Sequence, residues 1–307
     1  MELQGLINLQ IMMFIGIGLG WYLRKRNLIT AEGKKCMTDL VIDLLLPCNI
    51  IHSFCIEFDA GILYRGLQVL VISIVLQMFC TLVSATCYNR VGKDEKPVLQ
   101  YATVCSNAGF LGNPVAEGVY GSIGLLYGAI YLIPQRIVMW SAGVSYFTEC
   151  PSKREVLKKV LTHPCIIAAE IGLVLLVTQI QLPAFLDRTI TSFSNGSTPL
   201  TLLLIGAIMA GADMKTMVTR ETAWFSVMRL FLIPMAVCIG CYIFRVDAVA
   251  SGVSVILASM PAGSTTAILA SKYERNEEFA SKCVVLTTVL SMVMIPAWCL
   301  FVAYLWT

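Results

Sequence analysis

Charged side chains are scarce in this chain. Only 13% of its 307 residues are Asp, Glu, Lys or Arg, whereas 57% are hydrophobic and the mean hydropathy is +0.78. A soluble domain of this length needs far more charge to cover its surface. The composition therefore excludes an ordinary soluble protein and predicts an all-α membrane protein with several spans in a lipid bilayer.

Motifs of enzymes and of metal sites are also absent. There is no phosphate-binding loop ending in Gly-Lys-Ser or Gly-Lys-Thr and no G-x-S-x-G element, so we expect neither direct coupling to ATP nor a hydrolase site. His52 and His163 lack nearby ligand partners, and most of the twelve cysteines lie in apolar runs typical of buried free thiols. We therefore expect no enzymatic activity, no metal and no nucleic-acid partner; the only cofactor we consider is a coupling proton or sodium ion.

Ten apolar stretches reach or approach the ~20 residues that a helix needs to cross a bilayer. They lie at about 4–23, 38–56, 62–88, 98–120, 122–147, 164–181, 196–213, 222–244, 247–271 and 279–306. The stretch from Leu182 to Phe193 is shorter and mixed in polarity, which is typical of an interfacial helix. The sequence thus predicts about ten transmembrane helices.

Basic residues are distributed unequally between the predicted loops. With the N-terminus outside, 17 of the 22 Lys and Arg residues fall in inner loops and three in outer loops. By the positive-inside rule, this predicts a multi-pass protein of the plasma membrane with both termini outside. No basic residue precedes the first span and several follow it, so we expect no cleaved signal peptide.

Ten spans divide into two sets of five. An odd number of spans per half predicts that the second half, 161–307, is inverted in the membrane relative to the first half, 1–160. The fourth span then corresponds to the ninth, and both are interrupted by glycine and proline. The link between the halves is short and basic, which leaves no room for a separate soluble domain.

The fourth span is broken in the stretch S-N-A-G-F-L-G-N-P-V. Pro114 lacks a backbone N–H and its ring clashes with a carbonyl of the preceding turn, so we expect the first helix to stop there. Asn113 is a suitable N-cap, and Pro114 a suitable first residue, for a second half-helix. In the ninth span, the stretch S-M-P-A-G-S-T-T predicts another break, with Pro261, Gly263 and the potential cap Ser264.

Paired breaks in matching halves indicate the binding site of a transporter. The half-helices that begin near Pro114 and Ser264 direct their positive ends and free N–H groups toward the breaks, which suits an anion. Ser264, Thr265 and Thr266 either donate hydroxyl hydrogen bonds to the ligand or only cap the second half-helix.

The two broken stretches resemble the auxin efflux carrier family, as does L-L-L-P-C-N-I-I-H-S-F in the second span. That family includes plant auxin exporters and many bacterial carriers of small organic acids. The resemblance implies an elevator-type crossover fold in which spans 4 and 9 break and cross at the membrane centre. It also implies a scaffold of spans 1, 2, 6 and 7 that forms a homodimer, and a moving transport domain of spans 3–5 and 8–10. The chain lacks the long central loop of the long plant members and is more similar to the bacterial branch.

The resemblance matches Asn107 to a family asparagine that contacts the substrate carboxylate. Alternatively, the Asn107 amide satisfies carbonyl groups freed by the break. The predicted substrate site combines residues of both broken stretches: Asn107, Asn113, Pro114, Ser259, Pro261, Gly263, Ser264 and Thr265.

Charged side chains at membrane depth add two further hypotheses. Arg136, next to Gln135 in the fifth span, either binds a carboxylate or neutralises the negative C-terminal ends of the broken helices. Glu117, one turn beyond Pro114, either binds the coupling proton or sodium ion or is solvated near an outer turn.

Small residues form faces on two of the scaffold spans. Gly16, Gly18 and Gly20 lie in the first span, and Gly206 and Ala210 lie in the seventh. Such faces allow close helix packing, either between the two protomers of a homodimer or inside one protomer.

A secondary active or facilitated carrier of a small organic anion is the leading interpretation. A sodium-coupled carrier of the bile-acid symporter type shares this architecture and is the nearest alternative; sodium-dependent uptake would distinguish it. A membrane sensor that binds its ligand without moving it is the alternative outside transport, and counterflow of labelled substrate would exclude it.

Overall fold

The computed structural model describes residues 3–57, 59–89, 91–143, 145–147, 154, 158, 161–210 and 217–306. The regular structure in these ranges is helical, as the composition predicts. In chain order the helices are α1 (Leu3–Lys25), α2 (Ala31–Phe54), α3 (Ala60–Cys87), α4 (Lys96–Val104), α5 (Ala108–Val138), α6 (Pro164–Thr178), α7 (Ala184–Met209), α8 (Arg220–Ile243), α9 (Ala248–Ala258), α10 (Thr265–Lys272) and α11 (Glu277–Leu305).

The helices coincide with the apolar stretches of the sequence. The predicted fourth span contains α4 and the first part of α5, and the predicted ninth span contains α9 and α10. Within the described ranges, five helices are long and apolar enough to cross a membrane by length and composition alone, namely α2, α3, α5, α8 and α11. The all-helical membrane architecture is therefore confirmed, and the ten-span topology stays a prediction.

Helix α5 changes direction at Gly121, where φ is 64° and ψ is −153°. Residues with a Cβ atom rarely adopt these backbone angles, whereas glycine adopts them without steric strain. Residues 108–120 thus form a half-helix, and residues 122–138 form the following helix. A Cβ atom at Gly124 would meet the carbonyl oxygen of Ala116, which shows how closely the two segments pack.

Three wide turns of the π type precede prolines inside helices. They span Val41–Leu45, Ala108–Gly112 and Met228–Leu232, and they end two residues before Pro47, Pro114 and Pro234. A proline inside a helix lacks an N–H group and presses its ring against the carbonyl four residues earlier. Because the wider turn moves that carbonyl aside, the helix continues through each proline.

Helix α7 departs from the sequence prediction. The stretch from Leu182 to Phe193 is not a separate interfacial helix, because α7 begins at Ala184 and continues past Phe193 without interruption. Ser194 is only 4% exposed, and its hydroxyl oxygen accepts a 3.1 Å hydrogen bond from Nδ2 of Asn49 in α2. Ser194 directly follows this stretch, so the stretch begins a longer helix that packs against α2 from its next residue onward.

Helices α1 and α7 pack through glycines. A Cβ atom at Gly20 would meet the carbonyl oxygen of Leu203, and one at Gly206 would meet the carbonyl oxygen of Ile17. At Gly18, by contrast, a Cβ atom would have no neighbour within 4 Å. These small faces therefore serve packing inside one protomer. The homodimer stays a prediction.

The helices form two groups by their contacts. In the first group, α1 packs against α7, and α2 packs against α6 and α7. In the second group, α3 packs against α4, α5 and α9, while α8, α10 and α11 complete the cluster. Between the groups, α2 and α5 make the most extensive contact.

Candidate functional site

The two breaks lie side by side and are joined through their backbones. The N–H group of Asn107 donates a 2.8 Å hydrogen bond to the carbonyl of Pro261, and the N–H group of Gly263 donates a 2.9 Å bond to the carbonyl of Cys105. The two segments thereby form one short antiparallel bridge, which we call the joint. Irregular backbone at membrane depth needs partners inside the protein, and here each break supplies them to the other.

The first break lies earlier than the sequence predicted. Helix α4 ends at Val104, and α5 begins at Ala108, directly after the non-helical Asn107. Asn113 has helical angles, φ −58° and ψ −49°, so it is not an N-cap, and Pro114 does not begin the half-helix. The prediction was wrong because the π-type turn ahead of Pro114 removes the steric reason for the helix to stop.

The second break lies between α9 and α10, where it was predicted. Ser259 is fully buried, and its hydroxyl donates a 2.7 Å hydrogen bond to the carbonyl of Ile256, so this hydroxyl serves its own helix. A Cβ atom at Gly263 would lie 3.1 Å from the carbonyl oxygen of Cys105. Glycine at this position therefore permits the close backbone approach that the joint requires.

Asn107 places a carboxamide at the joint. Its side chain is 3% exposed, and its Oδ1 has no hydrogen-bond partner among the residues that the structure describes. The carbonyls of Cys105 and Pro261 already accept backbone hydrogen bonds, so they do not need this amide. An unpaired buried polar atom costs about 1–3 kcal/mol. A ligand group that donates a hydrogen bond to Oδ1 would recover that free energy, and the Nδ2 of the same amide is a donor that a carboxylate can use.

Asn113 carries a second unpaired amide. It is 1% exposed, and neither Oδ1 nor Nδ2 has a partner within the described ranges. A Cβ atom at Gly128 would lie 2.8 Å from Oδ1 of Asn113, so this amide faces the second part of α5. Pro114, which follows it, is also buried.

Gln135 holds the first break in position. Its Nε2 donates a 2.8 Å hydrogen bond to the carbonyl of Ser106, and its Oε1 accepts a 2.9 Å bond from the hydroxyl of the same serine. Both residues are buried. The side chain of Gln135 therefore positions the backbone of the joint.

Arg229 of α8 contacts the C-terminal ends of the first half-helices of both broken spans. The sequence analysis had considered Arg136 for this charge-neutralising role. Its side chain is 3% exposed, and its Nε donates a 2.9 Å hydrogen bond to the carbonyl of Met260. Its Nη2 donates to Ala258 at 3.2 Å, and its Nη1 donates to Thr103 at 3.3 Å. Thr103 lies in the last turn of α4 and Ala258 is the last residue of α9. The guanidinium thus covers the negative C-terminal ends of both helices.

Arg136 acts elsewhere. It is 7% exposed, and its charge acts on His163 and Cys165 at the start of α6. In the described part of the chain, its Nη1 has no hydrogen-bond partner. Burial, assisted by the charge of Arg136, lowers the pKa of His163 to about 4. His163 is therefore neutral at pH 7, and its Nδ1 accepts a 3.2 Å hydrogen bond from the N–H of Cys165.

Glu117 lies at the contact between α2 and α5. It is partly buried and interacts with Asn49 and His52 of α2. It is therefore not simply solvated beyond the joint, as one sequence interpretation had it. Its place at the boundary between the two helix groups suits a coupling residue, and that role stays a prediction.

A cavity of about 690 Å³ opens between the two helix groups. Ser264 and Thr265 line it at the start of α10, and Arg24 and Lys34 line it from the side of α1 and α2. The hydroxyl of Tyr101 donates a 3.2 Å hydrogen bond to Oγ1 of Thr265. The other wall residues are Thr38, Ile42, Phe110, Leu204, Ile205, Ile208, Ala267, Ile268, Glu277, Ser281, Val284 and Val285. Of the predicted substrate site, Ser264 and Thr265 thus reach this cavity.

The family model described as "Membrane transport protein" matches the chain in two segments, residues 6–156 and 151–299. An uncharacterized transporter of Methanothermobacter thermautotrophicus is 26% identical over 293 residues, which cover 91% of this chain and 93% of the relative. An uncharacterized transporter of Methanocaldococcus jannaschii is 21% identical over 304 residues, which cover 95% of this chain and 97% of the relative. Because the family match extends over nearly all of the chain, the protein belongs to this family of membrane transport proteins, the auxin efflux carrier family that its two broken stretches resemble.

Proposed function

We propose that this protein is a secondary carrier that moves a small organic anion across the plasma membrane and recognises it by its carboxylate. The observation that carries the proposal is that, among the residues that the structure describes, a charged side chain binds the C-terminal helix ends at the joint but not the N-terminal ends. Arg229 covers the C-terminal ends of α4 and α9. At the N-terminal ends of α5 and α10, no described acidic side chain forms a hydrogen bond or ion pair.

The partial charges of these ends support an anionic ligand. A helix end carries roughly half an elementary charge, so the two C-terminal ends together carry about −1, which the cation of Arg229 offsets. The two N-terminal ends carry about +1, and among the charged residues that line the cavity, Arg24 and Lys34 outnumber Glu277. A carboxylate supplies the missing negative charge. A hydrogen bond from Nδ2 of Asn107 to that carboxylate would add about 1.5–3 kcal/mol.

The grouping of the helices supports an elevator-like mechanism. The scaffold in this proposal comprises α1, α2, α6 and α7, and the transport domain comprises the other helices, including the joint. The cavity lies along the boundary between these groups, where sliding would expose the site to either side. The match of the family model in two segments supports the division into inverted halves at 1–160 and 161–307.

The basic residues that line the cavity support its opening toward the inner side of the membrane. Arg24 and Lys34 line it, and both belong to the first loop that the charge distribution places inside. The conformation is then inward-open, with ten spans and both termini outside. A reporter that is active only outside should be active at the C-terminus and inactive at Lys159, and the opposite pattern would contradict this topology.

A homodimer through the scaffold is part of the proposal. Since Gly20 and Gly206 are used inside one protomer, the dimer contact would involve other faces of the scaffold helices. Light scattering on the purified protein in detergent measures the mass directly. A monomer at every concentration would contradict the dimer and leave the carrier function untouched.

Substitution of Asn107 tests the binding site. Asn107→Ala should weaken binding of an acid about tenfold or more, because a charged hydrogen bond is lost. Thermal shift with matched acids and amides (acetate and acetamide, phenylacetate and phenylacetamide, indole-3-acetate and indole-3-acetamide) identifies a probe, and calorimetry then gives its affinity. Asn89→Ala is the matched control, because Asn89 is an exposed asparagine whose hydrogen bonds within the described residues go to Thr86 and Lys96.

Two results would overturn the proposal. Normal binding by Asn107→Ala would exclude the joint as the site, and equal binding of acid and amide would exclude an anion site. Counterflow of the labelled acid in proteoliposomes separates a carrier from a sensor, since a sensor binds without exchange. Sodium-dependent uptake would favour the bile-acid symporter type.

A further inference from the structure

Among the described residues, the oxygen atoms that accept hydrogen bonds from Arg229 are all backbone carbonyl oxygens, and the thiol of Cys80 is a further side-chain partner. Its three donors reach Met260 and Ala258 in one half of the chain and Thr103 in the other. The ionisable side chains on which its charge acts are Cys80, Cys105 and Tyr131, none of which is a carboxylate. Neither of the ion pairs found in the described ranges includes Arg229.

A buried cation without a carboxylate is costly unless other groups balance its charge. Here the C-terminal ends of α4 and α9 provide about −1 between them, which matches one guanidinium. Arginine also suits the geometry, because its planar fork can donate to several carbonyls at once. The charge of Arg229 is thus part of the electrostatics of the joint.

We propose that Arg229 is a positioning residue that sets the anion selectivity of the joint. It ties the ends of α4 and α9 together and cancels their negative potential, so that the opposing ends of α5 and α10 present net positive charge to the ligand. This inference rests on the proposed anion site.

The hydrogen bonds of Arg229 reach backbone segments that adjoin the joint. Met260, whose carbonyl accepts from Nε, precedes Pro261, whose carbonyl holds the N–H of Asn107. Thr103 lies two residues before Cys105, whose carbonyl holds Gly263. Loss of the guanidinium would therefore loosen both strands of the joint and leave about −1 of partial charge beside the ligand.

Two substitutions separate charge from geometry. Arg229→Met keeps much of the volume and removes the charge, whereas Arg229→Lys keeps the charge and loses the planar fork. The readout is the ratio of the affinities for an acid and its amide, taken from the pairs named above. For Arg229→Met we expect this ratio to fall roughly tenfold, which corresponds to about 1.4 kcal/mol. For Arg229→Lys it should stay within about threefold of the native ratio.

Trp298→Phe is the control for general destabilisation. Nε1 of Trp298 donates a 2.8 Å hydrogen bond to the carbonyl of Leu230, the residue after Arg229, so this change weakens the same helix without altering charge. It should lower the melting temperature and leave the ratio of affinities unchanged. A purely structural Arg229 would reduce binding of acid and amide equally.

Hydrogen exchange supplies a measurement that needs no ligand. In Arg229→Met the backbone amides of Asn107 and Gly263 should exchange at least tenfold faster, and in Arg229→Lys their protection should be partly restored. An unchanged ratio and unchanged exchange in Arg229→Met would overturn the inference while leaving the anion site intact. If the native protein itself binds no acid, or binds acids and amides equally, the proposed function fails and this inference fails with it.

Discussion

Replacing Gln135 by leucine should loosen the joint by a measurable free energy. Leucine is of similar size but cannot form hydrogen bonds, so the carbonyl of Ser106 loses its 2.8 Å donor and the hydroxyl loses its 2.9 Å acceptor. Ser106 is 7% exposed, so water does not easily replace either partner. At about 1–3 kcal/mol for each unpaired group, we expect the free energy of unfolding to fall by roughly 2–4 kcal/mol.

A double-mutant cycle tests whether this loss of stability comes from the hydrogen bonds between Gln135 and Ser106. Ser106→Ala alone leaves Oε1 of Gln135 without its donor and should cost about 1–3 kcal/mol. In the Gln135→Leu background, the same change removes a hydroxyl that is already unpaired, so it should cost almost nothing. The two residues should therefore couple by about 1 kcal/mol or more.

Denaturant unfolding of the four proteins in detergent micelles measures the cycle. Calorimetric affinity for the acid probe, measured in parallel, should fall together with stability, because the same backbone carries Asn107. Strictly additive stability changes would refute the reciprocal pair. An unchanged affinity in a destabilised Gln135→Leu protein would refute the link between this pair and the site.

Three further perturbations have definite outcomes. Gly20→Leu should lower the melting temperature, because the new side chain would meet the carbonyl of Leu203, whereas Gly18→Leu has open space; equal melting of both variants would contradict that packing. Glu117→Gln should make transport in proteoliposomes insensitive to an imposed pH gradient while ligand binding persists, and an unchanged pH response would remove Glu117 from coupling. Stability should fall as the pH drops from about 6.5 toward 4, because the lowered pKa of His163 makes protonation favour the unfolded chain. His163→Asn should flatten that slope in thermal melts, and a persisting slope would assign it to other groups.

Local sequence rules predicted the existence of the breaks better than their positions. The glycine and proline residues of both stretches indicated interruptions, and the second lies where it was expected. The first was displaced because a π-type turn lets α5 continue through Pro114. In that turn Gly112 packs against Leu257 and Met260 of the other broken span, and such contact cannot be read from local sequence.

The sequence also could not show which arginine neutralises the C-terminal ends of α4 and α9, because this too depends on contact between helices. Arg136 and Arg229 were both visible as charges within apolar spans, and Arg136 stood closer in sequence to the first break. Position along a helix gives depth but does not specify which neighbouring helix a side chain faces. A search for every arginine at membrane depth, with α4 and α9 treated as a pair, would have retained Arg229 as a candidate.

The backbone bridge at the joint also bears on how the protein is made. Residues 105–107 leave the ribosome roughly 150 residues before residues 261–263, and at about 5–20 residues per second the delay is roughly 8–30 s. During that interval the peptide groups of Cys105 and Asn107 have no partner in the second half, so water or the insertion machinery must solvate them. Assembly of the first half alone is therefore incomplete, and closure of the bridge belongs to the last stage of folding in the bilayer.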